Sequence, residues 1–128
     1  MSAVVVDTSV WIDFFAGRPA PELENALQQG LVVLPPLVVA ELISGARRPR
    51  ERAAIAELVA ELTVQETPLA HWIRVGEMRR KLGEKGLTVS TPDANVAQCA
   101  LDRDALLLTH DAVFTQIATV LVLRVIPG

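Results

Sequence analysis

The stretch AVVVDTSVWIDFF, residues 3 to 15, runs from a β-branched block through a carboxylate into an amphipathic segment. Val4, Val5 and Val6 read as a strand buried on both faces, the habit of a parallel sheet, where Val packs well on the pleat. Behind them Val10, Trp11, Phe14 and Phe15 recur at helical spacing, and Gly17 closes the segment. Asp7 therefore marks a strand end. In an open α/β sheet ligands lie beyond the carboxyl ends of the strands, so Asp7 is either a helix cap or part of a site.

The same alternation continues outward. RPAPELENALQQG reads as a Pro-started helix with a terminal glycine, LVVLP as a short apolar strand, and PLVVAELISGARR as another Pro-led helix. Residues 50–62 have a helical period, and VQET is an edge-strand candidate. Leu69 to Lys85 reads as a long helix with Trp72, Val75, Met78 and Leu82 along its inner side. A helix opening at Pro92, a strand ALLLT, a short helix HDAVFTQIA and a last strand VLVLRVI complete the chain. This order predicts one α/β domain over residues 1–128, a three-layer α/β/α arrangement around a parallel sheet.

The composition fits that class: 51% hydrophobic and 21% charged residues in 128 rule against disorder, and a net charge of -3 argues against a general polyanion binder. Cys99 is alone, so no internal disulfide forms. The longest other apolar run, LVVLPPLVVA, carries two prolines and is too short to span a bilayer. With no basic leader at the N-terminus, the expected location is the cytoplasm.

Three acids stand at strand-to-helix junctions or helix starts: Asp7 after VVV, Asp93 after TP, and Asp111 after LLLTH. For each, a plain helix-start role is a full alternative, since Asp caps well and is stabilised in a first turn. Glu41 is different. It lies in LVVAELISGA among apolar neighbours, with no Lys or Arg three or four residues before it, so a local ion pair does not account for it. Its alternative is a residue that faces water from an otherwise buried helix. If the four acids converge they repel, by roughly 4 kcal/mol for two unit charges about 4 Å apart at an effective dielectric of 20. Such clusters are held together by hard cations, and Mg²⁺ or Mn²⁺ among carboxylates is a setting for phosphodiester hydrolysis.

The segments VVVDTSVWIDFF, PPLVVAELISGA, TPDANVAQCAL and LLLTHDAVFTQIA resemble, in order and nearly end to end, the PIN-domain family, and most closely its VapC-type toxins of toxin-antitoxin pairs. The third segment departs from the isoleucine-alanine pattern of many relatives but keeps Asp93 ahead of an apolar helix. The resemblance implies a ribonuclease that uses Mg²⁺ or Mn²⁺ at Asp7, Glu41, Asp93 and Asp111, with Asp7 and Asp93 the firmest metal ligands. Asp111 and Glu41 would hold a second metal or the attacking water. It further implies that Thr8, Ser9 and Thr109 orient the carboxylates, and that the partners are an RNA substrate, a cognate antitoxin and a second copy in a homodimer.

Other residues read more plainly. Asp13 is expected to be solvated, His110 to sit in a surface loop, His71 to face outward from its helix, and Cys99 to lie in the core. Arg47 and Arg48, and the group Arg79, Arg80 and Lys81, are candidate RNA contacts, against the alternative of solvated faces diluted by glutamates. Two other functions compete. A phospho-acceptor signalling domain would need paired acids after the first strand and a late lysine, both absent. A binding module without chemistry would have no need of all four acids.

Overall fold

The computed structural model describes residues 2–128. Five strands form one sheet: β1 (Val4–Val6), β2 (Val32–Leu34), β3 (Thr63–Val64), β4 (Leu106–Thr109) and β5 (Val125–Pro127). Their order is β3-β2-β1-β4-β5, and every neighbouring pair is parallel, with Val4 opposite Val32 and Leu106, and Val6 opposite Leu108. Seven helices flank the sheet: α1 (Thr8–Phe15), α2 (Pro21–Gln28), α3 (Pro36–Gly45), α4 (Pro49–Glu61), α5 (Leu69–Glu84), α6 (Thr91–Asp102) and α7 (Ala112–Ala118). This is the α/β/α arrangement expected from the valine-rich strand openings.

All of β1 and β2 is buried, as is β4 apart from Leu106. Each such Val or Leu contributes about 1.5–3 kcal/mol on leaving water. Prolines open α2, α3, α4 and α6, where a missing N–H costs nothing. Gly17 and Gly30 follow α1 and α2 with φ of +79° and +69°, a conformation that favours glycine. No described helix is long and apolar enough to cross a membrane.

The chain builds β1, β2 and β3 toward one edge, then returns to the other side of β1 for β4 and β5. Strand order thus reverses at β1/β4, where the connections diverge and leave a crevice at the carboxyl ends. Asp7 follows β1, and its N–H bonds to the Leu108 carbonyl on β4. Asp111 lies two residues beyond β4.

Three elements differ from the sequence expectation. The inner face of α5 is His71, Val75, Met78 and Leu82, and Trp72 is 38% exposed, its Nε1 donating to the Thr67 carbonyl at 3.1 Å. Positions 71, 75, 78 and 82 keep to one helical stripe, whereas position 72 lies about 100° round from 71. The last strand begins at Val125 instead of Val120, because Val120 and Leu121 turn back to bond Ile117 and Val122 points to solvent. The third strand is Thr63–Val64, one residue earlier than VQET, and it does lie at an edge.

Candidate active site

Asp7 is 7% exposed and stands at the N-cap position of α1, yet its side chain makes no capping bond. Its Oδ2 instead accepts from Ser9 Oγ at 2.8 Å and from Thr109 Oγ1 at 2.9 Å. Two hydroxyls donating to one oxygen hold the carboxylate in a fixed orientation. Thr109 Oγ1 also accepts from the Asp111 N–H at 3.0 Å, and Ser9 Oγ from the His110 N–H at 3.1 Å. These bonds stitch the end of β4 to the start of α1.

Glu41, on α3, accepts from Thr8 Oγ1 at 2.7 Å through its Oε1. The sequence reading placed it in an apolar helix with little polar surface, and this is corrected: Glu41 is exposed. The helix buries only Val38 and Leu42 fully, leaving Ala40, Ile43 and Ser44 outside as well. Its placement therefore follows from Thr8 and from the packing of α3 on α1, not from enforced burial.

Asp93 lies in the first turn of α6. The cap of that helix is Ser90, whose Oγ accepts from the Asp93 N–H at 3.2 Å. Burial raises the Asp93 carboxyl above the ordinary aspartate range; the Ser90 bond opposes this, and the charges of Asp111, Asp7 and Glu41 add to the rise. The three acids that act on Asp93 are the other members of the predicted set, so the fold brings the four into one electrostatic neighbourhood. Asp111 caps α7, accepting from the Val113 N–H at 3.0 Å through Oδ1. Capping thus holds for Asp111 and fails for the side chain of Asp7, while Asp93 keeps the first-turn placement that the helix-start alternative allows.

None of the four acids is in a salt bridge among the described residues. Nor are three His, Cys, Asp or Glu side chains there close enough to enclose an ion. Among the described residues the arrangement is an open group of carboxylates with no protein counter-charge bonded to it. Such a donor set suits Mg²⁺ or Mn²⁺, which take oxygen ligands, engage few carboxylates directly and keep water in the other positions.

Other candidates fall elsewhere. Asp13, expected in solvent, is only 27% exposed at its side chain, paired with Arg18 and with His110 Nε2 at 3.2 Å. The Arg18 pairing spans the end of α1 and the His110 pairing joins residues far apart in the chain, and periodicity reveals neither. His71, expected outside, is fully buried between α5 and α6. Cys99 is core as expected, and burial, with a smaller push from Asp102, raises its thiol to about 12. Arg79 Nε donates to the Val89 carbonyl at 2.8 Å, on the approach to α6, while Arg80 pairs with Glu84 at 2.8 Å. Arg47 and Arg48 are exposed between α3 and α4, as is Lys81 near the end of α5.

Beside Glu41 runs an apolar groove of about 300 Å³ between α1, α3 and α4, walled by Ile12, Phe15, Leu42 and Ile55. No single stretch of the chain signals it, because its walls come from three separate helices.

A model of the PIN domain family matches residues 4–120. A search of curated proteins found no match. Among solved structures, the chain is similar to one in DNA-bound VapBC from Salmonella typhimurium (TM-score 0.83, 23% identity, 99% of this chain and 98% of that one). It is also similar to one in VapBC2 of Rickettsia felis bound to a promoter DNA fragment (TM-score 0.81, 17% identity, 98% of each chain). A third is in VapBC-5 of Mycobacterium tuberculosis, a toxin-antitoxin system (TM-score 0.72, 24% identity, 100% of each chain). At these identities the likeness is one of fold.

Proposed function

Because the chain belongs to the PIN domain family, we propose that it is a metal-dependent endoribonuclease and the toxin of a toxin-antitoxin pair. The observation that supports the chemistry is that the charges of Asp111, Asp7 and Glu41 all act on Asp93, while among the described residues no cationic side chain is bonded to any of the four. The observation behind the biological role is the fold shared with chains of VapBC toxin-antitoxin complexes.

Asp7 and Asp93 would hold Mg²⁺ or Mn²⁺, which when bound supplies an acidified water and neutralises charge on the phosphoryl oxygens. The protein's part is orientation. Ser9 and Thr109 fix Asp7, Thr8 fixes Glu41, and the Val113 N–H fixes one oxygen of Asp111. Glu41 or Asp111 would accept the proton of the water that attacks phosphorus, since both are exposed carboxylates beside the site. The Asp13–His110 contact closes the loop after β4 against α1.

A cationic residue of an antitoxin would be attracted to the acid group, and the apolar groove beside Glu41 would take a neighbouring apolar side chain. For a homodimer, Leu69, Trp72 and Ile73 in the first turns of α5 offer exposed apolar surface.

The test is cleavage of total RNA by the purified chain in Mn²⁺ and in chelator, beside Asp7→Asn and Asp93→Asn. The proposal expects cutting by wild type in Mn²⁺ alone and none by either variant, with all three folded. Cutting by both variants at near wild-type rate would sink the site, and cutting in chelator would sink the metal.

A further inference from the structure

A second polar group lies between α5 and α6, inside the protein. His71 is 0% exposed. Its Nδ1 is 2.7 Å from Asp102 Oδ2 and its Nε2 is 2.7 Å from Asn95 Oδ1, both on α6. In either orientation of the Asn95 amide the ring is bonded at both nitrogens: it donates to Oδ1 or, with the amide turned over, accepts from Nδ2. Asp102 is further tied to Gln98 at 2.8 Å and to Arg74 at 3.0 and 3.1 Å.

Asn95, Gln98, Cys99 and Asp102 stand at i, i+3, i+4 and i+7, so they form one stripe of α6. A polar stripe facing a packed helix is costly to bury unless its partners meet it in one register, and where they do it excludes others. Apolar side chains would pack there in several neighbouring settings. His71 bonds two side chains whose backbone positions lie about 10 Å apart along the axis of α6, since seven residues rise 1.5 Å each. A ring bonded at both points opposes both a slide and a rotation of the helix. Asp93 sits two residues before Asn95, in the first turn of that same helix.

We propose that His71 is a positioning residue: by bridging Asn95 and Asp102 it fixes the axial and rotational setting of α6, and so the place of Asp93 in the acid group. The consequence for the metal rests on the nuclease reading above; the clamp itself does not.

The test uses the full chain carrying His71→Leu, which keeps volume and loses both bonds, and His71→Gln, which retains a polar group able to reach one partner. Hydrogen-deuterium exchange in chelator reads the clamp without any metal. Faster exchange over residues 91–97 in His71→Leu, partly restored in His71→Gln, is expected; unchanged exchange overturns the clamp. Mn²⁺ titration calorimetry reads the consequence. Supporting partners of ligands commonly govern affinity by 10–100-fold, and the more distant His71 is expected to give about tenfold weaker binding in His71→Leu, recovered in part by Gln. Wild-type affinity in a folded His71→Leu overturns the positioning role. If His71→Leu does not fold, His71→Gln decides on both readouts: slower exchange than wild type or equal exchange with equal affinity overturns the proposal. A wild type that binds no Mn²⁺ refutes the nuclease reading and the metal consequence, leaving the exchange result to judge the clamp.

Discussion

Thr109→Val is the substitution whose effect the structure defines most sharply. Thr109 is 2% exposed, and its hydroxyl both donates to Asp7 Oδ2 and accepts from the Asp111 N–H. Valine keeps the shape and removes both bonds. A bond to a charged group contributes about 1.5–3 kcal/mol and a neutral one about 1 kcal/mol. Asp7 keeps Ser9, and the Asp111 amide lies next to an exposed side chain where water can reach it. The sum is therefore discounted to about 2–3 kcal/mol, which at about 3–5 °C per kcal/mol for a domain of this size is a fall of about 6–15 °C in Tm. Thr109→Ser keeps the hydroxyl and loses one buried methyl, at a cost of about 1 kcal/mol. Urea denaturation in chelator, with equal m-values, measures all three proteins. Wild type should be most stable, Ser next and Val last, and Mn²⁺ affinity should fall at least about tenfold in Val. A Val variant as stable as the Ser variant would refute the claim that this hydroxyl holds Asp7.

The remaining predictions concern charge, capping and substrate. The folded Asp93 carboxyl lies above its unfolded value, so wild type loses stability as pH rises through the interval between the two; Asp93→Asn escapes this loss. Melts in chelator from about pH 3 to 7 should show the variant gaining on wild type, and a constant difference would contradict a carboxyl raised first by burial and then by the neighbouring acids. Asp111→Asn keeps a competent cap for the Val113 N–H, so its stability should stay within about 0.5 kcal/mol of wild type while Mn²⁺-dependent cleavage is lost; equal losses of both would assign Asp111 to capping alone. If Arg47 and Arg48 touch RNA phosphates, replacing both by Ala should lower the slope of log K against log salt by about 1–2, read by fluorescence anisotropy, whereas Arg80→Ala, already paired with Glu84, should leave it unchanged.

The sheet was legible because its strands are apolar runs closed by turn chemistry, and the valines of β1 admit few other readings. Asp7, Asp93 and Asp111 were legible by position, at junctions the alternation itself exposes. Glu41 was singled out for a reason the structure overturns: apolar neighbours in sequence do not bury a helical residue when they lie on its other faces. His71 was misplaced because a one-residue shift in an α5 stripe exchanges a histidine for a tryptophan, and burial of the histidine depends on acceptors 24 and 31 residues away. The Asp13–His110 pair was hidden for the same reason, its members brought together only by the pairing of β1 with β4. Long-range polar contacts leave little periodic trace in a single sequence, whereas apolar faces do.

The most direct measurement is the anomalous diffraction of wild-type crystals soaked in Mn²⁺. The account predicts a manganese peak bonded to carboxylate oxygens of both Asp7 and Asp93, at about 2 Å, with water filling the remaining positions. A fully soaked crystal of RNA-cleaving protein with no manganese at these two residues would contradict it.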